Sequence, residues 1–190
     1  MTVLETPRLH LRQVTHDDTD NLLGIFSDPQ AMRYYPSTKD RQQTAAWIEW
    51  NLRSYQEHGI GLWIVEAKTT GQFLGQCGLT MQEVEGSWEP EVGYLFLREH
   101  WGHGYATEAA AAALTHGFTY HGYPRIICLP SAANLPSRRV AERLGMHLER
   151  QLTRRGLEMC VYALTNPNHE PSRPSLSPHL PIHQFPNKVS

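Results

Sequence analysis

The 190-residue chain has only three cysteines, and none lies close in sequence to another. Cys77, Cys128 and Cys160 occupy separate apolar stretches without a C-x-x-C motif, which argues against a disulfide framework or a zinc site. The formal net charge of −2 argues against the concentrated basic surface that general nucleic-acid binding requires. No run approaches the roughly 20 apolar residues of a membrane span, and the N-terminus lacks the basic-then-apolar order of a secretory signal. We therefore expect a cytoplasmic protein without a nucleic-acid or membrane partner.

Proline is unevenly distributed along the chain. The last 25 residues, from Asn166 to Ser190, carry six of the 13 prolines. Because proline lacks a backbone donor and has a fixed φ, this stretch predicts neither a helix nor a central strand. We expect one folded domain over residues 1–165 and an extended, disordered tail over residues 166–190.

Hydrophobic periodicity predicts a mixture of strands and helices within that domain. Apolar and polar residues alternate over 9–12, as in a half-buried strand, and residues 91–97 are apolar on both parities, as in a strand covered on both faces. Other strands are predicted at 62–67, 73–81 and 125–129, with two more near the end of the domain. Helices are predicted from about residue 17 to 26, 41 to 58, 104 to 121 and 135 to 144. This order predicts an α/β or α+β single domain.

The most informative segment is Trp101-Gly102-His103-Gly104-Tyr105-Ala106-Thr107-Glu108. It follows a predicted strand and opens a helix rich in alanine. Glycines let the backbone curl closely around a ligand, and the first helical turn presents N–H groups that favour an anion such as pyrophosphate. The segment lacks the lysine of a P-loop, and Thr107 stands where a dinucleotide fingerprint has its third glycine.

This segment resembles the R/Q-x-x-G-x-G/A signature of the GNAT N-acetyltransferases, with Trp101 replacing the first residue. Within that family, the chain is most similar to the branch of ribosomal-protein N-acetyltransferases that includes RimJ and RimL. Further similar segments follow in family order over residues 6 to about 162. They are Thr6 to Arg12, Ser27-Asp28-Pro29 with Met32-Arg33-Tyr34, Val92-Gly93-Tyr94, and Asn134 to Val140 with Leu144-Gly145-Met146.

The resemblance implies the GNAT fold: a central mixed, mostly antiparallel sheet flanked by helices, with its fourth and fifth predicted strands splayed apart. It also implies acetyl-CoA as co-substrate, and no metal. The pantetheine arm would lie in the splay, against backbone groups left unpaired at Leu95, Phe96 and Leu97. Asn134 would also contact the pantetheine arm, and Arg138 or Arg139 would contact the 3′-phosphate. The pyrophosphate would bind the N–H groups of the glycine segment, namely Gly102, His103, Gly104, Tyr105, Ala106 and Thr107.

The implied reaction is direct attack of an amine on the thioester, without a covalent acyl-enzyme. Glu91 is the leading candidate for the base, and Glu85 and Glu89 are alternatives. Many family members supply a tyrosine acid seven residues after the asparagine, but here that position is Ala141. The branch instead offers Ser137 as the hydroxyl that would hydrogen-bond the departing sulfur.

The identity of the amine that accepts the acetyl group follows less directly from the sequence than the coenzyme does. A weakly placed base suits an α-amino group, whose pKa of about 7.7–8.0 lies well below the roughly 10.4 of lysine. A protein N-terminus is therefore the expected acceptor. The alternatives are a small amine (an aminoglycoside, a polyamine or an amino acid) and an inactive acyl-CoA-binding module. The sequence leaves open whether the protein is a monomer or a homodimer.

Several other residues are candidates for a functional role. His100 and His103 lack the spacing and the third ligand of a metal site. Cys128 is expected in the core. Tyr34, Tyr35 and Trp63 are candidates for the acceptor side of the site, although aromatics in such runs are more often core residues.

Overall fold

The structure is a computed structural model that describes residues 2–154 and 156–168. Residues 169–190 of the predicted tail lie outside the described residues. No helix in the described part of the chain is long and apolar enough to cross a membrane. The strands are β1 (Thr2–Glu5), β2 (Leu9–Arg12), β3 (Leu62–Ala67), β4 (Phe73–Val84), β5 (Ser87–Phe96), β6 (Arg125–Cys128), β7 (His147–Arg154) and β8 (Leu157–Thr165). The α-helices are α1 (Thr19–Phe26), α2 (Arg41–His58), α3 (Tyr105–Thr119) and α4 (Leu135–Arg143).

Local signals explain where the helices begin and end. Asp40 caps α2, because its side chain accepts a hydrogen bond from the Gln43 amide while the Gln43 side chain accepts one from the Asp40 amide. Gly59 ends α2 in the left-handed region, at φ 70°. Asn134 caps α4 by a single bond, since its side chain accepts a hydrogen bond from the Ser137 amide. The predicted helices are therefore present, with shifts of a few residues at their ends.

Two strand predictions need correction. The sequence analysis did not find β1, which is a short edge strand. It also began the strand predicted at 91–97 too late, since β5 starts at Ser87. The cause is a tight turn at Glu85 and Gly86, both at positive φ, which joins β4 and β5 into a long hairpin.

The eight strands form one sheet in the order β1-β2-β3-β4-β5-β6-β8-β7. Every neighbouring pair is antiparallel except β5 and β6, which are parallel. Those two strands share a single registered pair, Glu91 with Ile127. The sheet is therefore mixed and mostly antiparallel, with its two parallel strands splayed, and the predicted fold class is confirmed.

Each face of the sheet is covered by its own core. Successive strand residues point to opposite faces, so Trp63 packs with the alanines of α3 whereas Ile64 packs with α1 and α2. The same alternation in β5 directs Tyr94 towards the α3 side and Leu95 towards the α1–α2 side. Both cores reach this strand, so the prediction that residues 91–97 are covered on both faces is confirmed. Val92 and Phe96 are buried, whereas Glu91, Tyr94 and Leu95 are partly exposed and line a cavity.

Candidate active site

A cavity of about 440 Å³ opens where β5 and β6 part. Beyond the Glu91–Ile127 pair the two strands form no further registered pair. Side chains from both faces of the sheet line the cavity, including Glu91 and Leu95 from one face and Tyr94 from the other. The splay is therefore a passage between the α1–α2 side and the α3–α4 side of the molecule.

The backbone at the end of β5 is less open than the sequence analysis expected. The Leu97 amide is not unpaired, because it donates to the Leu74 carbonyl oxygen at 2.9 Å. In an antiparallel ladder alternate residues face the same neighbour, so Leu95 also directs its backbone groups to β4. Phe96 faces the other way, and its carbonyl accepts a hydrogen bond from the Trp101 indole at 2.9 Å. Of the three residues, the Phe96 amide alone is directed towards the splay.

The glycine segment forms a curled loop at the N-terminus of α3. Gly102 and Gly104 both lie in the left-handed region, at φ 79° and 80°, and Gly104 is the N-cap. No described atom lies within 4 Å of a Cβ added at Gly102. The first-turn amides from Tyr105 to Thr107 have no acceptor within the helix. The loop therefore presents several donors on an exposed surface, as a pyrophosphate site requires.

Arg8, which the sequence analysis did not single out, holds this loop in place. Its guanidinium donates to the His103 carbonyl oxygen at 3.0 Å and lies 4.8 Å from the centre of the Tyr105 ring. It also pairs with Glu108 in the first turn of α3 at 2.6 Å. Burial alone would raise the pKa of Glu108, but hydrogen bonds from Thr6 and Arg8 outweigh it and lower that pKa. The glycine loop is thus anchored to the start of β2.

The start of α4 lies beside the splay. The Asn134 side chain accepts a hydrogen bond from the Ser137 amide at 3.2 Å. Arg138 is turned away, because its guanidinium donates to the Tyr162 hydroxyl and to the Ala132 carbonyl oxygen. Arg139 is exposed and forms no ion pair with the described residues. Of the two arginines considered for a phosphate, Arg139 is therefore the one with a free guanidinium.

A pair of hydroxyl groups faces the cavity from the α3–α4 side. The Tyr94 hydroxyl donates to the Ser137 carbonyl oxygen at 2.9 Å and lies 3.0 Å from the Ser137 Oγ. Burial raises the pKa of Tyr94. Burial also raises the pKa of the neighbouring Cys128 to about 12, so that this cysteine remains a neutral thiol near neutral pH. The sequence analysis names Tyr94 only within the Val92-Gly93-Tyr94 segment and assigns it no role. Its contact with Ser137 joins residues 43 positions apart, so no local sequence pattern could indicate it.

Glu91 is the carboxylate that lines the cavity from the sheet. It accepts a hydrogen bond from the Leu129 amide at 3.2 Å. Burial raises its pKa to about 7, although the Arg154 charge and hydrogen bonds from Leu129 and Gln82 act in the opposite direction. A group with this pKa takes up and releases protons near neutral pH. Glu91 therefore has the properties of a general base.

The two alternative carboxylates lie elsewhere. Glu85 is exposed in the β4–β5 turn and pairs with Arg150 at 2.9 Å. Glu89 pairs with Arg125 at 2.6 Å. Neither residue lines the cavity.

Aromatic side chains form the α1–α2 side of the cavity, and we call Phe26, Tyr34, Tyr35, Trp47 and Trp50 the aromatic wall. The rings of Phe26 and Trp47 meet edge to face, with centres 5.6 Å apart. Trp63, the third aromatic candidate for this side, is instead a core residue, as is usual for aromatics in such runs. Its ring is buried on the opposite face of the sheet, 5.5 Å from the ring of His116.

No group of three or more histidine, cysteine, aspartate or glutamate side chains among the described residues is arranged to hold a metal ion. His103 hydrogen-bonds to the Trp101 carbonyl oxygen and stacks on Tyr105, with ring centres 5.8 Å apart. The ring of His100 lies 6.4 Å from that of Tyr105. The two histidines therefore contact the same tyrosine.

Comparison with known proteins agrees with this geometry. The family model described as Acetyltransferase (GNAT) domain matches residues 8–147. The Bacillus subtilis (strain 168) protein YkkB is 43% identical over 162 residues, which span 85% of this chain and 94% of that protein. The crystal structure of an acetyltransferase from Agrobacterium tumefaciens str. C58 is 28% identical with a TM-score of 0.76, covering 86% of this chain and 94% of that one. RimL, a ribosomal L7/L12 alpha-N-protein acetyltransferase solved with coenzyme A, shares the fold with a TM-score of 0.71 and 17% identity. The match covers 87% of this chain and 98% of that one.

Proposed function

The chain belongs to the GNAT acetyltransferase family, and from this premise we propose that it transfers the acetyl group of acetyl-CoA to a primary amine, preferentially the α-amino group at a protein N-terminus. The observation that carries the proposal is Glu91, a carboxylate with a pKa of about 7 beside the splay. RimL, which shares the fold, is described as an alpha-N-protein acetyltransferase.

The pKa of Glu91 favours an α-amine over a lysine side chain. Proton transfer to a group of pKa about 7 from an α-ammonium of pKa about 7.8 costs about 1 kcal/mol. The same transfer from a lysine ammonium of pKa about 10.4 costs about 5 kcal/mol. A lysine acceptor would therefore need a stronger base than Glu91 provides.

The α3–α4 side suits the coenzyme. Acetyl-CoA would supply the activated acetyl thioester. The first-turn amides of α3 and the Gly102–Gly104 loop would hold its pyrophosphate, while Arg8 fixes the loop. Asn134 would contact the pantetheine arm, and the exposed Arg139 would reach the 3′-phosphate.

Three groups then act on the reacting atoms. Glu91 accepts the proton that the amine must lose before its nitrogen can form a bond to the acetyl carbon. The Phe96 amide stabilises the negative charge that develops on the carbonyl oxygen. As the carbon–sulfur bond breaks, the Ser137 hydroxyl donates a hydrogen bond to the departing thiolate, which takes up the second proton that the nitrogen loses as the amide forms and leaves as the free thiol. Tyr94 holds Ser137 in position.

An acceptor screen tests the proposal. Purified protein is mixed with acetyl-CoA and with peptides of varied first residue, peptides with a blocked N-terminus and an internal lysine, aminoglycosides, polyamines and free amino acids. Thiol release and product mass are recorded. Acetylation of free peptide N-termini ahead of the lysine-only peptides is expected. Coenzyme binding without acetylation of any amine would instead indicate an acyl-CoA-binding module.

A further inference from the structure

The charged side chains that line the cavity indicate which charge the acceptor bears besides its amine. Among the described residues that line it, only Lys39, Glu91 and Arg154 are charged. When Glu91 is ionised, these three groups sum to a charge of +1. A second positive group on the acceptor would meet two cations, whereas a negative group would find a partner.

Lys39 is the cation within the aromatic wall. Its Nζ atom lies 5.9 Å from the ring centre of Phe26 and 5.7 Å from that of Trp47. It forms no ion pair with the described carboxylates, and burial lowers its pKa. The ring faces attract the ammonium group but accept no full hydrogen bond from it. Lys39 therefore faces the cavity with its donors available.

Two further contacts set the position of this lysine. The Lys39 amide donates to the Phe26 carbonyl oxygen at 2.8 Å, which fixes the backbone at the end of the α1–α2 connection. Trp47, on which the ammonium lies, donates from its indole to the Gln76 side chain at 3.2 Å. The backbone of Lys39 and the Trp47 ring beside its ammonium group are thus each held in place by a hydrogen bond.

Arg154 is the second cation, on the sheet side of the cavity. Its guanidinium donates to the Gln82 side chain at 3.0 Å, and Gln82 also hydrogen-bonds to Thr80. Arg154 and Glu91 are close enough for the charge of Arg154 to lower the pKa of Glu91. Arg154 thus has a hydrogen-bond acceptor in Gln82 and feels the charge of Glu91, whereas Lys39 lies over aromatic rings and pairs with no described carboxylate. Lys39 is therefore the cation better placed to receive a negative group.

We propose that the acceptor is a primary amine that also carries a negatively charged group, and that Lys39 binds this group. The inference rests on the proposed function and narrows its substrate class. The negative group has two possible sources: an acidic side chain near the N-terminus of a peptide, or the carboxylate of a free amino acid. Polyamines and aminoglycosides, which bear several positive groups, do not fit this charge pattern.

Matched acceptors test the proposal. Peptides that differ only by glutamate or glutamine at the second position are compared, as are free amino acids and their amides, with every rate referred to the concentration of unprotonated amine because amidation lowers the pKa of the α-ammonium group. We expect kcat/KM to favour the acidic member of at least one pair by about tenfold, equivalent to about 1.4 kcal/mol. A preference within the peptide pair identifies a side-chain carboxylate, and a preference within the amino-acid pair identifies the free carboxylate.

Two variants assign that preference to Lys39. Lys39→Met keeps the apolar stem on the aromatic wall and should reduce the preference to less than about twofold, and Lys39→Glu should reverse it. Lys68→Met, which alters an exposed surface pair with Glu5, should leave the preference unchanged. Equal rates for acidic and neutral acceptors, or a preference that survives in Lys39→Met, would overturn this inference and leave the proposed function standing. Failure to acetylate any amine would overturn the proposed function itself.

Discussion

Replacing Glu91 with glutamine should have opposite effects on two properties: it should lower the catalytic rate and raise the stability of the folded protein. Glu91→Gln removes the proton acceptor but preserves the shape of the side chain. A positioned general base contributes about 10²–10⁴-fold to rate, so kcat for a free peptide N-terminus should fall by about 100-fold or more. The wild-type kcat should rise with pH through about 7, the pKa of Glu91. The variant should lose this dependence.

The same substitution should stabilise the folded protein at alkaline pH. The pKa of Glu91 is raised from its ordinary value of 4.5 to about 7, so the folded state binds this proton more tightly than the unfolded state does. The contribution to stability is complete below pH 4.5 and is lost as pH rises towards 7. A shift of this size corresponds to about 3 kcal/mol at most. Glutamine has no such dependence, so the advantage of Glu91→Gln over wild type should grow by about 2–3 kcal/mol between about pH 5 and pH 8.

Thiol release and urea unfolding at several pH values measure both effects. Glu83→Gln is the matched control, because Glu83 is an exposed residue on the neighbouring strand and lies outside the cavity. It should change neither the rate nor the pH dependence of stability. A Glu91→Gln variant that kept full activity, or whose stability followed that of wild type at every pH, would refute the reasoning.

Other predictions concern the coenzyme side. Gly104→Val should weaken coenzyme binding by about tenfold or more in calorimetry, because a β-branched residue at φ 80° costs about 1–3 kcal/mol and distorts the loop. Arg8→Gln should raise KM for acetyl-CoA several-fold while leaving KM for the acceptor unchanged; an effect on the acceptor alone would contradict the role of Arg8 at the loop. Ser137→Ala should lower kcat by about 10- to 100-fold with little change in coenzyme affinity, since a lost hydrogen bond to a charged group is worth about 1.5–3 kcal/mol. Tyr94→Phe should lower kcat less than Ser137→Ala does, and an equal or larger loss would indicate that Tyr94 itself contacts the sulfur.

The sequence predicted those parts of the fold that depend on local signals. The periodicity over residues 41–58 predicted α2, and the glycines predicted a curled loop before α3, which the positive φ of Gly102 and Gly104 confirms. The splay was predicted from the family resemblance, because nothing in the composition of β5 or β6 indicates that two parallel strands share one registered pair. The start of β5 was missed because Glu85, a residue without the usual turn preference, adopts positive φ.

The remaining site features depend on long-range register, which sequence patterns do not encode. Whether the amide of Leu97 or of Phe96 faces the splay depends on which residues of β4 and β5 exchange hydrogen bonds. The face on which Trp63 lies depends on strand pairing in the same way. Arg8 contacts a carbonyl 95 positions away, and such a contact follows only from the position of β2 beside α3.

The passage through the sheet has a kinetic consequence. Side chains of β5 alternate between its two faces, so under the proposed function the amine and the coenzyme would approach the reacting centre from opposite directions. On the proposed chemistry, neither molecule blocks the other's path. Either can arrive first, and the spent thiol can depart while the modified amine is still bound. Order of addition is then governed by concentration and affinity, and both reactants must be present together before any turnover occurs.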